Sequence, residues 1–513
     1  MQIKRYFSIL TAVLIILATG CATLPYPPPP VPAVQALPPA EHGRAAALSK
    51  RFADLHPADI SGFLALPESA EAFNWRLALA DEATASIDVQ YFIWQDDETG
   101  LLLFDRLLNA ADRGVRVRFL VDDMVFAPTG RSIASICRHP NFEIKIFNPV
   151  RVRSKVGGVV EFLTNMDELN RRMHNKLFVV DNRVAIVGGR NIGNEYFGLG
   201  KTYNFRDLDV LVVGQVVAEL SEAFDTFWNS DLSYPGSAMS EKGSAEQLEA
   251  IREQTVAFLA DHRATLAAYP LAPRDWQQKF QRLSGALMPG RAYFIQDAPV
   301  RIGQDAYRLT EMLDYMAEPS RDELVFVSPY LIPSAKMLEE LAETTAKGVK
   351  VTFVAPAMGA NNHTAAHSHY KKYRRRLLAA GAELYEMKHQ PCEAFRSTID
   401  VPPVTARFIC LHVKAIVGDR ERCFVGSLNL DPRAVDLNTE NGLYIESPGL
   451  CGQLADQFDD IMSPDNAWRV YLNAEDQLRW ESSDGTVSRQ PARGFGQRIS
   501  DFFYRLLPLE SQL

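Results

Sequence analysis

The sequence predicts an α/β protein of two pseudo-symmetric domains, each a mostly parallel or mixed sheet flanked by helices, with a site at their interface. Three observations predict it. Strand-like and helix-like segments alternate along the chain. The alternation restarts in the same order in the second half. A pattern of polar residues recurs in each half at nearly the same offset.

Composition permits such a core. The 513 residues are 47% hydrophobic and 23% charged, which excludes a chain disordered throughout. At roughly 100–200 residues per domain the length suits a multidomain chain. A net charge of −9 argues against nucleic-acid binding through overall charge and leaves only a local basic cleft for it.

The chain opens with Lys4 and Arg5, an apolar run from Tyr6 to Ala18, and Ala18-Thr19-Gly20-Cys21. The run is too short for a comfortable membrane span and reads as a secretory signal over residues 1–20. The four residues ending at Cys21 resemble a bacterial lipobox, which implies cleavage after Gly20 and lipidation of Cys21. Ala18 departs from that pattern, where leucine is commoner. A signal cleaved elsewhere and an uncleaved anchor are the alternatives. A lipidated Cys21 places the protein in a bacterial cell envelope, membrane-anchored and facing the periplasm or the exterior. Ala22, in place of aspartate, resembles outer-membrane sorting.

Residues 21–45 follow as a linker with Pro27-Pro28-Pro29-Pro30, expected as an extended spacer or a plain tail. No later segment has eighteen uninterrupted apolar residues, so the body is expected to be soluble. The five cysteines after Cys21 are unevenly spaced; they form no disulfide framework and no zinc pair, and leave room for one or two bridges.

The first domain is placed at residues 46–240. Ser86 to Trp94 reads as a strand, Gly100 to Arg113 as a helix, and Val115 to Val121 as a second strand. The stretch 241–284 reads as a helical connector, with a helix from Ala245 to Ala267. The second domain is placed at 285–475: Leu324 to Leu331 as a strand, Ser334 to Lys347 as a helix, Val349 to Val354 as a strand. Gly114 and Gly348 end the two helices and stand 234 positions apart. Residues 476–513 form an extension in which Phe495, Ile499, Phe502, Phe503, Leu506 and Leu507 recur at helical spacing beside Arg498 and Arg505. That segment suits either a membrane interface or docking onto the protein's own body.

The polar repeat carries the chemistry. His174, Lys176, Asp181 and Asn191 in the first half match His412, Lys414, Asp419 and Asn429 in the second, 238 positions on. Both copies read His-x-Lys, four residues, Asp, six residues, Gly, two residues, Asn. Residues two apart on a strand face the same way, so each histidine and its lysine point together. Histidine serves as nucleophile or proton donor near neutral pH, and lysine attracts a phosphate oxygen. Two such sets around one phosphorus suit phosphodiester chemistry without a metal or other cofactor.

These residues resemble the phospholipase D superfamily, and more narrowly its bacterial C-type cardiolipin synthase branch. The resemblance covers nearly all of the chain after the linker. It rests on both motifs, on Gln90-Tyr91-Phe92-Ile93-Trp94, on Asn170 to Lys176, on Gly188 to Phe197 and on Gly426 to Arg433. It implies two phospholipase D-like domains and a catalytic set of His174, Lys176, Asp181, His412, Lys414 and Asp419. The aspartates are expected in a structural or supporting role. It implies His174 as nucleophile through a phosphohistidine and His412 as acid/base, an order that the pseudo-symmetry leaves open. The lysines with Asn191 and Asn429 would hold the phosphoryl oxygens. Asp207 and Glu440 would orient the histidines. Gly189 stands where the superfamily usually has serine, so a hydroxyl contact is expected to be missing from the first half.

The implied reaction is phosphatidyl transfer to phosphatidylglycerol, giving cardiolipin, with phosphatidylglycerol or phosphatidylethanolamine as donor and membrane phospholipids as partners. Hydrolysis by a phospholipase D, phosphodiesterase or nuclease, and a non-catalytic lipid-binding envelope protein, are the other readings. No nucleic-acid partner is expected, and the sequence names no partner protein. His363, His367 and His369 have the spacing of weak metal-ligand candidates. Lys371 to Arg376 reads as a solvated face or an anionic headgroup site. Asp122-Asp123 closes a strand, as a turn or at a site.

Overall fold

The computed structural model describes residues 23–506 apart from positions 26, 127, 154–160, 162–168, 300–308 and 310. Residues 1–20, expected as a secretory signal, together with Cys21, Ala22 and Leu507, lie outside the described residues.

Runs rich in valine, isoleucine and leucine supply the strands, most of which are buried on both faces, as expected beneath helical layers. In the first half these are β1 (Ser61–Leu66), β2 (Ser86–Tyr91), β3 (Arg116–Asp122), β4 (Phe142–Phe147), β5 (Leu177–Val180), β6 (Val184–Gly188), β7 (Tyr203–Arg206), β8 (Asp209–Gly214) and β9 (Ser233–Pro235). In the second they are β10 (Met288–Gln296), β11 (Glu323–Val327), β12 (Lys350–Pro356), β13 (Glu383–Met387), β14 (Phe408–Leu411), β15 (Ala415–Gly418), β16 (Arg422–Gly426), β17 (Asn441–Glu446) and β18 (Ala467–Leu472). Two further strands, β19 (Leu478–Ser482) and β20 (Gly485–Val487), extend the far edge.

The first sheet runs β9-β4-β3-β2-β5-β6-β8-β1, and the second repeats it as β18-β13-β12-β11-β15-β16-β17-β10. The parallel pairs β2–β3–β4 and β11–β12–β13 sit among antiparallel neighbours, so each sheet is mixed. β1 and β10 pair antiparallel, with Gly62 opposite Pro289, and join the two sheets edge to edge. The duplication seen in the sequence is therefore a duplication of topology.

The helix Glu98–Asp112 starts where the Asp97 side chain accepts from Gly100 N at 3.0 Å, and its counterpart Ala335–Ala346 starts at Ser334, which accepts from Met337 N. Both end at a glycine in the left-handed region, Gly114 at φ 95° and Gly348 at φ 94°. The strand expected to reach Trp94 stops at Tyr91, because Ile93 N turns to the Asn191 side chain and Gln95 N to Ile192 O. The strand expected to reach Leu331 stops before Pro329. The connector helix ends at Asp261, where Nδ1 of His262 lies 2.8 Å from Phe258 O.

The described part of the proline-rich linker does not stand away as a stalk. Val34 N and Ala36 N donate to Asn229 and Asp225, Ala40 N donates to Asp181 O, and Leu24 is buried. It straps the first half because its few free N–H groups find acceptors there. One core is shared by the halves: Val179, Val187 and Val212 pack in one cluster with Val417, Val425 and Leu443, together with Trp228 of the helix Val216–Trp228 and Phe458 of the helix Pro448–Met462. Burying an apolar side chain of this size stabilises by about 1.5–3 kcal/mol. Cys423 and Cys451 form a disulfide that ties β16 to the second of these helices. Among the described residues no helix is long and apolar enough to cross a membrane.

Candidate active site

Each motif histidine enters the interface on a short parallel pairing with a segment of the opposite half, a four-residue ladder in one copy and a single bridge in the other. β14 pairs with β7 so that Leu411 stands opposite Arg206, and His412 N donates to Arg206 O at 2.8 Å. In the other copy Met173 bridges Thr439, and His174 N donates to Thr439 O at 2.9 Å. Both partner segments end in a carboxylate one residue later, Asp207 and Glu440.

The carboxylates cross over. His174 Nδ1 lies 2.7 Å from Glu440 Oε2, and His412 Nδ1 lies 2.5 Å from Asp207 Oδ2. Both acids are fully buried. A carboxylate accepts at Nδ1, so Nε2 of each ring is left as the basic nitrogen. The rings are wedged by aromatic neighbours, His174 by Phe92 and His412 by Phe205 and Tyr196. Both histidines line one cavity of about 470 Å³ between the halves, together with Asn191, Asn429, Tyr330 and Arg433.

Lys176 and Lys414 are buried beside the histidines. Lys414 Nζ donates to His412 O at 2.6 Å, and Lys176 donates to His174 O. Burial pushes both ammonium groups down, Lys414 to about 8. Burial and the lysine cations also hold both histidines below their usual range, His412 at about 3. Both imidazoles are thus neutral at rest near pH 7.

The pseudo-equivalent acids diverge. Burial pushes Glu440 up to about 7 against the pull of Lys176. Burial also acts on Asp207, but His412, Lys414 and Arg190 outweigh it and hold the acid below its ordinary value. Ser427 Oγ donates to Glu440, whereas Gly189 supplies no hydroxyl to Asp207. A Cβ at Gly189 would fall 2.2 Å from Asp207 Oδ1. Asp207 accepts instead from Leu208 N at 2.8 Å.

Known proteins share this architecture and sequence. A family model described as "Cardiolipin synthase, PLD-like domain" matches residues 77–228 and again 313–462. The chain is 33% identical to cardiolipin synthase C of Escherichia coli over 467 residues, covering 89% of this chain and 96% of that protein. The chain belongs to the phospholipase D superfamily. It is 28% identical to an uncharacterised protein of Helicobacter pylori over 87% of this chain and 89% of the relative. The fold is like that of a phosphatidylserine synthase from Haemophilus influenzae, with a TM-score of 0.52 and 17% identity over 82% of this chain and 91% of the other. As a phospholipase D-superfamily enzyme similar to cardiolipin synthases, it carries two copies of the family's domain.

Within that superfamily frame, the motif aspartates are set apart from the cavity. Asp181 and Asp419 take left-handed conformations, φ 56° and 52°, at the turns after β5 and β15. Asp181 accepts from Thr84 N, Ala85 N, Ser86 N and Thr84 Oγ1. Asp419 accepts from Arg321 N, Asp322 N and Glu323 N. Each locks the motif strand to the start of the neighbouring parallel strand, which is a structural contact rather than one with the cavity. Short polar side chains tolerate positive φ and cap N–H groups, which explains why aspartate stands there.

Asn191 faces the cavity with its carbonyl committed: Oδ1 accepts from Ile93 N at 3.0 Å while Nδ2 donates to Tyr196 OH at 2.9 Å. Asn429 Oδ1 is buried with no hydrogen-bond partner, so the second half offers the freer amide.

Three cations of the basic run are held by acids of the protein itself. Arg374 is buried on Glu386 at 2.6 Å, Lys371 pairs with Asp501, and Arg375 pairs with Asp476. Of the three histidines, His363 lines the cavity, His367 lies between Gln490 and Arg374, and Lys372 donates to His369. Among the described residues no three His, Cys, Asp or Glu side chains form a metal-binding group.

Asp122 proves to be a positioning residue. It accepts from Met173 N at 3.0 Å and Arg172 Nη1 at 3.2 Å, which anchors the approach to His174. Arg190 does likewise for Asp207, donating to its carbonyl at 3.0 Å. Sequence reading missed Arg190 in this role, and also Asn170, which accepts from Arg433 at 2.9 Å. Their only sequence signal was membership of the stretches flanking the motifs.

Proposed function

We propose that the protein is a phosphatidyltransferase that makes cardiolipin from phosphatidylglycerol, with phosphatidylglycerol or phosphatidylethanolamine as donor. The observation that carries this reading is the crossed pair of histidine–carboxylate couples opening on one cavity, because two histidines with free Nε2 atoms suit a two-step displacement at phosphorus. Similarity to cardiolipin synthase C over most of both chains supports the choice of lipid.

In the first step His174 Nε2 attacks the donor phosphorus. The P–N bond forms and the P–O bond to glycerol or ethanolamine breaks, while His412 delivers a proton to the leaving oxygen. In the second step the acceptor hydroxyl attacks phosphorus, its proton returns to His412, and the P–N bond breaks. Assigning His174 as nucleophile is supported by the unequal acids. Asp207 stays anionic and can stabilise the His412 imidazolium, whereas Glu440, near 7, provides less charge beside a ring that must remain neutral to attack. The donor's phosphate anion supplies the field that returns a proton to His412. Lys176 and Lys414 would offset negative charge on the phosphoryl group from beneath the cavity floor. Lipidation at Cys21 and residence in the cell envelope belong to the same reading, since an anchor keeps an enzyme on its substrate surface.

The test is mass spectrometry of lipid products after incubation with phosphatidylglycerol vesicles, with and without phosphatidylethanolamine. Cardiolipin formed by the unsubstituted protein and absent with His174→Ala or His412→Ala is expected. Phosphatidic acid without cardiolipin would make water the acceptor and the protein a hydrolase.

A further inference from the structure

The last helix, Phe495–Leu506, is mounted with its apolar face outward. Phe495, Ile499, Phe502, Phe503 and Leu506 fall within an arc of about 100° at helical spacing. All five are exposed, Phe495 by 78% and Phe503 by 61%. The polar edge does the docking. Asp501 is buried against Lys371, Gln497 Nε2 donates to Met358 O at 2.6 Å, and Arg493 donates to Gly359 O just before the helix. An amphipathic helix that served only the protein's own core would be turned the other way.

Charge selects the occupant of this face. Asp501, the helix's single acid, is withdrawn into its ion pair, while Arg498 and Arg505 flank the phenylalanines. The face is therefore apolar with a cationic margin on a chain of net charge −9. That combination complements an anionic bilayer, acyl carbon against the phenylalanines and headgroup phosphate against the arginines. Position agrees. The helix packs along Thr364–Tyr370, and Ala366 of that segment and His363 just before it line the active-site cavity. Exposed Met124 lines it too.

We propose that the Phe495–Leu506 helix is a membrane-docking element that seats its phenylalanine face in an anionic phospholipid bilayer and sets the cavity beside the surface from which substrate is drawn. The proposal rests on the reading of the substrate as a bilayer phospholipid.

The test is hydrogen exchange on the full chain, resolved to residues 495–506, with and without vesicles of phosphatidylglycerol and phosphatidylethanolamine. Vesicles slow exchange in this segment about tenfold. A Phe495→Ser, Phe502→Ser, Phe503→Ser variant loses that protection. Its turnover falls about tenfold on vesicles and stays unchanged on short-chain phosphatidylglycerol dispersed as monomers. Arg498→Gln and Arg505→Gln each weaken binding to phosphatidylglycerol vesicles roughly fivefold and leave phosphatidylcholine vesicles unaffected. Exchange unchanged by vesicles that carry bound protein overturns the proposal. So does protection that grows with protein concentration in the absence of lipid, which would assign the face to a second copy. Equal loss of turnover on both lipid forms overturns it as well. A parent protein inactive on every lipid removes the functional reading instead, and the exchange measurement still decides the docking.

Discussion

His174 and Glu440 are 266 positions apart in the chain and 2.7 Å apart in the folded protein. His412 and Asp207 repeat the relationship in the opposite sense, so neither half holds a complete histidine couple. Glu440→Gln and Asp207→Asn should each lower kcat by roughly 10²–10⁴-fold with KM little changed, because each loses the carboxyl group that orients its ring and fixes its tautomer. Equal, small effects on kcat and KM would show that the acids act on packing alone.

The two histidines should separate by leaving group. A p-nitrophenyl phosphodiester needs no proton to expel its phenolate, so His412→Asn should retain cleavage of it while losing alcohol release from a phospholipid by about 10²–10⁴-fold. His174→Asn should lose both. The reverse pattern would exchange the two roles.

Substrate binding should take up a proton. Burial and the lysines keep His412 near 3 in the free protein, and an anionic phosphodiester beside it raises that value. Calorimetry at about pH 4–6 in buffers of different ionisation enthalpy should therefore report uptake that grows as pH falls toward the free value near 3, with affinity falling as pH rises. Uptake indistinguishable from zero would mean that the proton donor is another group.

Gly189→Ser should be harmful even though Ser427 is its counterpart. The new Cβ would meet Asp207 Oδ1 at 2.2 Å, so the acid must move from His412. A fall in kcat of about tenfold or more, with the fold intact by circular dichroism, is expected. Wild-type turnover would mean that the carboxylate shifts without consequence.

Asp181→Ala should act on stability. It strands the N–H groups of Thr84, Ala85 and Ser86, at a cost of about 3 kcal/mol or more in urea unfolding, with turnover per folded molecule preserved. Asp419 adds a pH signature. Burial raises its carboxyl, but three backbone N–H groups win and hold it below its ordinary value. A depressed carboxylate stabilises above its unfolded value near 3.9 and loses that contribution as pH falls through the folded value. The stability gap between parent and Asp419→Asn should therefore be constant above about pH 5 and close in acid. A gap independent of pH would remove the ionised carboxylate from the account.

The duplicated strand–helix–strand order, the glycine helix ends and the two motifs were legible in the sequence. Each depends on local rules: hydrophobic period, capping chemistry, and residues near one another in the chain. The resemblance to the phospholipase D superfamily, rather than any local rule, singled out Asp207 and Glu440 as partners for the histidines and the missing hydroxyl at Gly189. Which acid serves which histidine was not legible, because the crossing arises from a parallel ladder and a parallel bridge between segments more than two hundred residues apart. The ion pairs within the basic run from Lys371 were not legible for the same reason, since Glu386, Asp476 and Asp501 reach Arg374, Arg375 and Lys371 from distant strands, turns and helices, while Lys372, Arg375 and Arg376 keep the exposure of a solvated face. The period of the last helix was plain, but only packing decided that its polar edge would be buried and its phenylalanines left outside. By itself the sequence determined what the two halves are made of and which chemistry they can carry. The tertiary structure decided how they complete one another, because hydrogen bonds and ion pairs form between groups that only the closed interface brings within 3 Å.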